Sequence, residues 1–312
     1  MNGPVASAPH VPAKTLEHGS RTDGWGLIKS AASAWVDDDC ASMGAALSYY
    51  TIFSLAPLLL IVISIAGLIF GADAARGEIF NELRGLMGED ASKAVEGLLT
   101  SVSRPHESIT ATLIGIVVLL VGATSVFSEL QSSLDRIWRL PARSKGSGLW
   151  GLLRTRLLSF SMILCMAFLL MVSLVLSAVI AALGNWWGSA FAGWEMLAQT
   201  VNLLVGFVLT NVVFAMIFKL MPRVQLRWTD VWLGALVTSL LFTVGKFLIG
   251  LYIGKSGVAS GFGAAGSLIV VFVWVYYSAQ IYLLGAEFTW VYARKLGSLA
   301  GTPEYGDGAQ AR

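Results

Sequence analysis

Charge is scarce in this chain. Only 13% of its 312 residues are Asp, Glu, Lys or Arg, where an average soluble domain carries about 25%. Two cysteines are too few for a disulfide framework, and Cys165 lies inside an apolar run while Cys40 does not, so both are expected as free thiols. A net charge of +2 gives no electrostatic footprint for nucleic acid. What is abundant is apolar surface: 56% of residues are hydrophobic and the mean hydropathy is +0.72. One aqueous core cannot bury that much, which excludes an ordinary soluble enzyme and a disordered chain.

A helix crossing a hydrocarbon core about 30 Å thick needs about 20 mostly apolar residues. Six segments meet that requirement, at about 47–70, 109–126, 157–183, 198–220, 231–253 and 267–288. Lipid offers the backbone no hydrogen-bond partner, so each is expected to be helical; the runs are uniformly apolar rather than alternating, which excludes a β-barrel. With the N-terminus inside, the inner segments hold 15 Lys and Arg and the outer segments five, with Lys246 left within a span. The positive-inside rule then places both termini in the cytoplasm. The expected fold is an all-α six-helix membrane bundle with interfacial amphipathic helices.

The polar stretches organise around these spans. Residues 1–24 are rich in Pro, Ser, Gly and His and are read as a disordered tail without a signal peptide; residues 296–312 are read as a flexible tail, leaving 25–295 as one transmembrane domain. Trp25, Leu27, Ile28, Ala32, Trp35 and Val36 suit an interfacial helix. Residues 72–108 carry apolar positions at helical spacing and are expected to form two short helices capping the outer face. Residues 129–140 extend the second span as an amphipathic helix stopped by Pro141. Asp37, Asp38 and Asp39 point about 100° apart on a helix and are read as acids that complement a helix start. Tryptophans at 35, 138, 228, 232 and 290 fall at predicted inner boundaries.

The first span carries Ala45-Ala-Leu-Ser-Tyr-Tyr-Thr-Ile-Phe-Ser-Leu-Ala-Pro-Leu-Leu-Leu60. The last carries Gly263-Ala-Ala-Gly-Ser267, then Trp274-Val-Tyr-Tyr-Ser278 and Gly285-Ala-Glu287. Together with Pro222 through Trp228-Thr-Asp230, these resemble the signatures of the YihY/BrkB family of bacterial inner-membrane proteins over about residues 25–295. The resemblance implies six spans, both termini inside and residence in the bacterial cytoplasmic membrane. It brings no secure activity, since the family carries an old ribonuclease label and a virulence label, and a transporter-like role is often supposed. The ribonuclease label fails on chemistry. Phosphodiester hydrolysis at a metal needs converging His and carboxylate ligands, and the three histidines are His10 and His18 in the tail and His106 on the outer side. No nucleophile elbow, P-loop, Rossmann fingerprint or CxxC is present. The expectation is a protein that is not an enzyme, with no catalytic residue, cofactor or metal and with no nucleic-acid partner.

Ionisable groups in the bilayer cost about 2.5 to 3.5 kcal/mol on insertion scales and mark function by default. The two here are Lys246 and Glu287. Depth along their helices differs by about 19 Å at helical rise, which prevents pairing; Lys246 is expected to reach outward, and Glu287 to meet Lys219, Arg156 or Arg139 or a wet cavity. Tyr276, Gln280 and Glu287 lie within about 40° on a helical wheel. With Tyr50 and Asn211 they form a candidate inner-half pathway, Lys246 a candidate outer-half polar site, and Pro57 a candidate kink. The bland alternative is that these groups hydrogen-bond between packed helices. Gly261, Gly263, Gly266 and Lys255 form a candidate gating or anion-binding loop ahead of a helix start, against the plainer reading of a tight turn. Gly250-x-x-x-Gly254 suits close helix contact. The functional expectation is movement of a solute, ion or lipid-like amphiphile through a cytoplasm-open cavity; the rival is a non-transporting scaffold for the envelope. The lipid bilayer is the expected partner, and oligomeric state stays open.

Overall fold

The computed structural model describes residues 24–102, 125–140, 194–222, 224, 226–256, 262 and 265–301, and these are all-helical apart from short turns. The elements are α1 (Gly24–Asp37), α2 (Cys40–Phe70), α3 (Ala72–Met87), α4 (Glu89–Val102), α5 (125–137 of the described chain), α6 (Trp194–Leu220), α7 (Trp228–Ser256) and α8 (Gly266–Lys295). Three of the described helices are long and apolar enough to cross a membrane: Met196–Leu220, Trp228–Lys255 and Gly266–Lys295. They contain the expected spans at 198–220, 231–253 and 267–288. The 31-residue α2 contains the one expected at 47–70, and α3 and α4 are the pair expected within 72–108. The spans expected at 109–126 (all but its last two residues) and 157–183, both tails beyond 24 and 301, Gly261 and Gly263 lie outside the described residues.

Two of the breaks between helices are made by glycine. Gly71 and Gly88 bracket α3 with φ of 89° and 84°, a region closed to most residues with a β-carbon. The α1–α2 break is different. Asp39 adopts φ 56° and ψ 42°, the left-handed conformation that Asp tolerates better than most. The Asp38 amide still donates the helical hydrogen bond to the Ala34 carbonyl at 2.9 Å; the chain turns at Asp39, and α2 restarts at Cys40. The helix then continues through position 57 as one element.

α8 is the hub. It packs against α7, α2, α1 and α4, while α7 also packs on α6. The α7–α8 contact rests on a reciprocal interlock. The Thr289 side chain occupies the space over Gly234, and Thr238 occupies the space over Gly285; a β-carbon at either glycine would overlap the opposing threonine. Each threonine hydroxyl donates to the carbonyl of its own-helix glycine four residues back, Thr238 to Gly234 and Thr289 to Gly285, both at 2.7 Å. The small residues let the backbones approach and the hydroxyls stay satisfied, which is how helices associate where lipid removes the hydrophobic drive. The flagged Gly250 has no part in this, since nothing lies within 4 Å of its notional β-carbon; Gly254 faces only the Asp90 carboxylate.

The described core divides in two. At the α1 end, Leu27, Ala31, Met43, Trp138, Phe218, Tyr282, Leu283 and Trp290 are among its buried residues. At the α3–α4 end, Leu59, Phe80, Ala91, Val95, Leu99, Ile253, Val270 and Val271 pack together. Trp138 and Trp290 were expected at a headgroup boundary, yet Trp138 is 1% exposed and the two rings meet edge to face at 5.5 Å. Trp228 and Trp232 do remain exposed.

Candidate functional site

Seven residues before the last described turns of α8 (Arg294 and Lys295), Glu287 is 0% exposed. Its carboxyl accepts the Cys40 thiol, Sγ to Oε1 3.7 Å, and lies beside the carboxyl of Asp38. The broken α1–α2 junction makes this meeting. The last turn of α1, which packs on α8, places Asp38, and the left-handed Asp39 then redirects the chain so that Cys40 starts α2 beside the same carboxyl. Arg139, just beyond α5, adds a positive field at Glu287, and Arg136 one at Cys40. Both Asp38 and Glu287 keep one buried oxygen, Oδ2 and Oε2, that receives no hydrogen bond. Two ionised carboxyls in contact repel each other, and such a pair persists where one of them holds a proton or where a positive centre lies beside them. A buried oxygen without a protein donor calls for an explanation, of which a water, an ion or a functional role is one. The acids of 37–39 are thus more than a helix start, because one of them joins a fourth acid across 249 residues of sequence.

One stretch up the same face, Gln280 Nε2 donates to the carbonyls of Cys40 (3.5 Å) and Ala41 (3.4 Å), while its Oε1 is buried without a partner. It fits because residue 44 is glycine: a β-carbon there would overlap the Gln280 amide. Gln280 and Glu287 therefore both face the start of α2, as their shared wheel position implied. Tyr276 is half-buried on α8 and makes none of these contacts.

The other candidates disperse. Asn211 of α6 donates to Ser239 Oγ of α7 at 3.2 Å, leaving Oδ1 buried and unpartnered. Tyr50 stands ten residues along α2 from Cys40, about 15 Å at helical rise, with its ring edge-on to Tyr49 at 5.6 Å. Lys246 reaches away from Glu287, as depth dictated, and Nζ donates to the Gly85 carbonyl of α3 at 3.3 Å. Lys219 does not reach Glu287; it donates to the Leu226 carbonyl and lies over the Trp228 ring. Gly266 is the buried first residue of α8, and Lys255 is exposed at the end of α7. Among the described residues no group of three or more His, Cys, Asp or Glu is placed to hold a metal ion.

The description "Virulence factor BrkB" matches residues 31–306, the stretch that holds α2, the interlock and the Asp38–Glu287 contact. The chain belongs to the BrkB family. A UPF0761 membrane protein of Psychromonas ingrahamii is 27% identical over 78% of this chain and 79% of its own length. UPF0761 membrane proteins of Pseudomonas aeruginosa and Stenotrophomonas maltophilia are 26% and 25% identical over 85% and 81% of this chain. The chain spans only 62% and 57% of those two relatives. No solved structure matches. The relatives' names say membrane protein and nothing of an activity, so chemistry must be argued from the site.

Two site residues were beyond the sequence reading. Asp38 was read as one of three acids at a helix start and Cys40 as a free thiol, which it is; the signal for their shared contact is the helix break, which no periodicity marks. Tyr282, also on α8, is a third residue with no motif or spacing to single it out. Its ring stacks on Phe218 at 5.6 Å and its hydroxyl is buried without a partner, so the α6-facing side of α8 also carries an unsatisfied polar group.

Proposed function

We propose that this BrkB-family membrane protein moves a small polar, ionic or amphiphilic solute across the bacterial cytoplasmic membrane. The Asp38–Glu287 contact would be where a positive group on the solute, or a cation travelling with it, is held. The observation that carries this reading is Glu287: fully buried in an apolar helix, with Oε2 receiving no hydrogen bond and a second carboxyl in contact. Such a group is costly within a membrane helix and is retained where it binds something. Gln280 Oε1, Asn211 Oδ1 and the Tyr282 hydroxyl, each buried and unpartnered, extend polar capacity from that point along α8 and α6. In this reading the protein has six spans with both termini cytoplasmic, acts without enzymatic chemistry, and has the bilayer and its solute as partners.

A scaffold is the second reading, favoured by the densely filled α1-end core and the Gly–Thr interlock. One substitution separates the two. Glu287→Gln keeps size and hydrogen-bonding capacity but removes the charge. In proteoliposomes assayed for uptake across a panel of cationic and zwitterionic solutes, a flux seen with the native protein should fall at least tenfold in the variant at equal reconstitution. Native-level flux in the variant, or no flux for any solute alongside full complementation of a deletion phenotype by Glu287→Gln, would leave the scaffold as the better account.

A further inference from the structure

α1 has three faces. At about 100° per residue, Leu27, Ala31, Ala34 and Trp35 share one sector of about 100° and pack into the α1-end core. Lys29, Ser33 and Asp37 share a second of about 80° and are exposed and polar. Between them lies a third sector, again about 80°, made of Trp25, Ile28, Ala32 and Val36. It is apolar, yet Trp25, Ile28 and Val36 are 76%, 52% and 67% exposed. A soluble helix has two faces. A helix with a protein face, a water face and an uncovered apolar face between them is built for the boundary of a bilayer.

Its level in the membrane agrees. α8 has 30 residues, about 45 Å at helical rise, which matches the thickness of a bilayer with its headgroups rather than the core of about 30 Å. The last turns of α8 thus fall in the headgroup zone. α1 packs on α8, and Lys295 Nζ donates to Ser30 Oγ at 2.7 Å, fixing the middle of α1 at that end. Asp230 in the first turn of α7 accepts the Ser298 amide at 2.9 Å, which brings the exposed Trp228 and Trp232 to the same level. Exposed indoles on a spanning helix and the α1 stripe then form one belt, with the cations Lys29 and Arg227 beside it, as headgroup zones favour.

We propose that the Trp25–Ile28–Ala32–Val36 stripe is a phospholipid-binding surface, and that its seating in the headgroup zone holds the Asp38–Cys40 turn closed on Glu287. The connection is short: α1 ends at Asp37, and the next three residues supply the left-handed turn and both contacts to Glu287. The inference does not depend on the solute-moving role, because neither of its readouts is a flux.

The test uses the full chain in nanodiscs of phosphatidylethanolamine and phosphatidylglycerol, in a Cys165→Ser background. With Cys40 also replaced by Ser, a single cysteine at position 28, 36 or 33 carries an environment-sensitive fluorophore. Labels at 28 and 36 should be quenched by lipids brominated near the carbonyl end of their chains and little by aqueous iodide, with the reverse at 33. Iodide quenching without bromolipid quenching at 28 and 36 overturns the lipid surface, as does quenching that appears only when a second labelled copy is present. With Cys40 retained, the paired substitution Ile28→Ser and Val36→Ser should raise the rate of Cys40 modification by a membrane-permeant maleimide about tenfold or more, the loss expected when two apolar side chains leave lipid. Both residues are exposed, so their replacement leaves the core intact; an unchanged rate overturns the coupling to the turn.

Discussion

The two ends of the described bundle solve the same problem in opposite ways. At the α3–α4 end, the buried hydroxyls are answered within the chain: Ser92 donates to the Phe80 carbonyl and Ser54 to the Thr51 carbonyl, and small residues such as Ala91 and Ala94 let α4 settle on α7 and α8. At the α1 end, Asp38, Glu287, Gln280, Asn211, Tyr282, Ser133 and Trp138 each keep a buried polar atom without a partner. In a low-dielectric interior such atoms are expensive. Of the described polar side chains at the far end, Trp274 Nε1 is the exception. An end that is packed and satisfied is built for stability. An end that is packed around unanswered polar atoms gives up stability for something that answers them.

The sharpest break of this comparison is at glycine. Gly234 and Gly250 lie on one helix, but only Gly234 is occupied from outside. Gly234→Ala puts a methyl into Thr289, where the contact is with the branched Cβ rather than a flexible tip, and should cost about 1 to 3 kcal/mol. Gly250→Ala meets open space and should gain about 0.5 to 1 kcal/mol from helix propensity. Thermal unfolding in detergent should show the two midpoints moving in opposite directions. Equal shifts would mean that the interlock does not hold α7 to α8.

Next in size is the removal of a polar group at each end. Asp38→Asn relieves the carboxyl–carboxyl contact and gives Glu287 an N–H donor, so it should raise the unfolding midpoint, by the equivalent of about 1 to 2 kcal/mol, while harming function. Ser92→Ala at the other end removes a satisfied hydrogen bond and should lower stability by about 1 kcal/mol. If both substitutions destabilise alike, the contrast between a functional and a structural end is wrong.

Which of these features a reader of the sequence can see follows from their range. Helices at 194–220, 228–256 and 266–295 announce themselves by length and apolarity, and α1, α3 and α4 by periodicity, because each signal is contained in its own segment. Wheel geometry likewise put Gln280 and Glu287 on one face. What the other side of that face holds is a tertiary matter. Asp38 and Cys40 reach Glu287 from the two sides of a left-handed residue that no pattern marks. Gly234 and Gly285 look no different from Gly250 until Thr289 and Thr238 are brought opposite. Lys219 was a reasonable partner for Glu287 by depth, but its own loop offered the Leu226 carbonyl closer by. Tyr276 shares the azimuth of Gln280 and Glu287 but stands eleven residues up α8 from Glu287, about 16 Å at helical rise, and Tyr50 is about as far up α2 from Cys40, so both miss the contact by depth.

The smallest expected effect lies at the satisfied end, on its solvent side. Glu89 and Lys93 form an i,i+4 pair at 2.9 Å on α4, with both side chains about 60% exposed. The Lys93 ammonium holds the Glu89 carboxyl below its ordinary 4.5, and Glu89 in turn raises Lys93 above 10.5. A depressed acid stabilises the fold above its unfolded value and loses that contribution as pH falls through the lower folded one. A raised base stabilises below its unfolded value and loses that contribution as pH climbs through the higher folded one. Across neutral pH, therefore, both contributions are fully present and flat. They are also weak, because water and salt screen an exposed pair. Lys93→Ala should leave the unfolding midpoint at neutral pH within measurement error, and any residual shift should vanish in high salt. A large, salt-resistant loss would place α4's outer face under cover, and the α3–α4 end would then need a partner of its own.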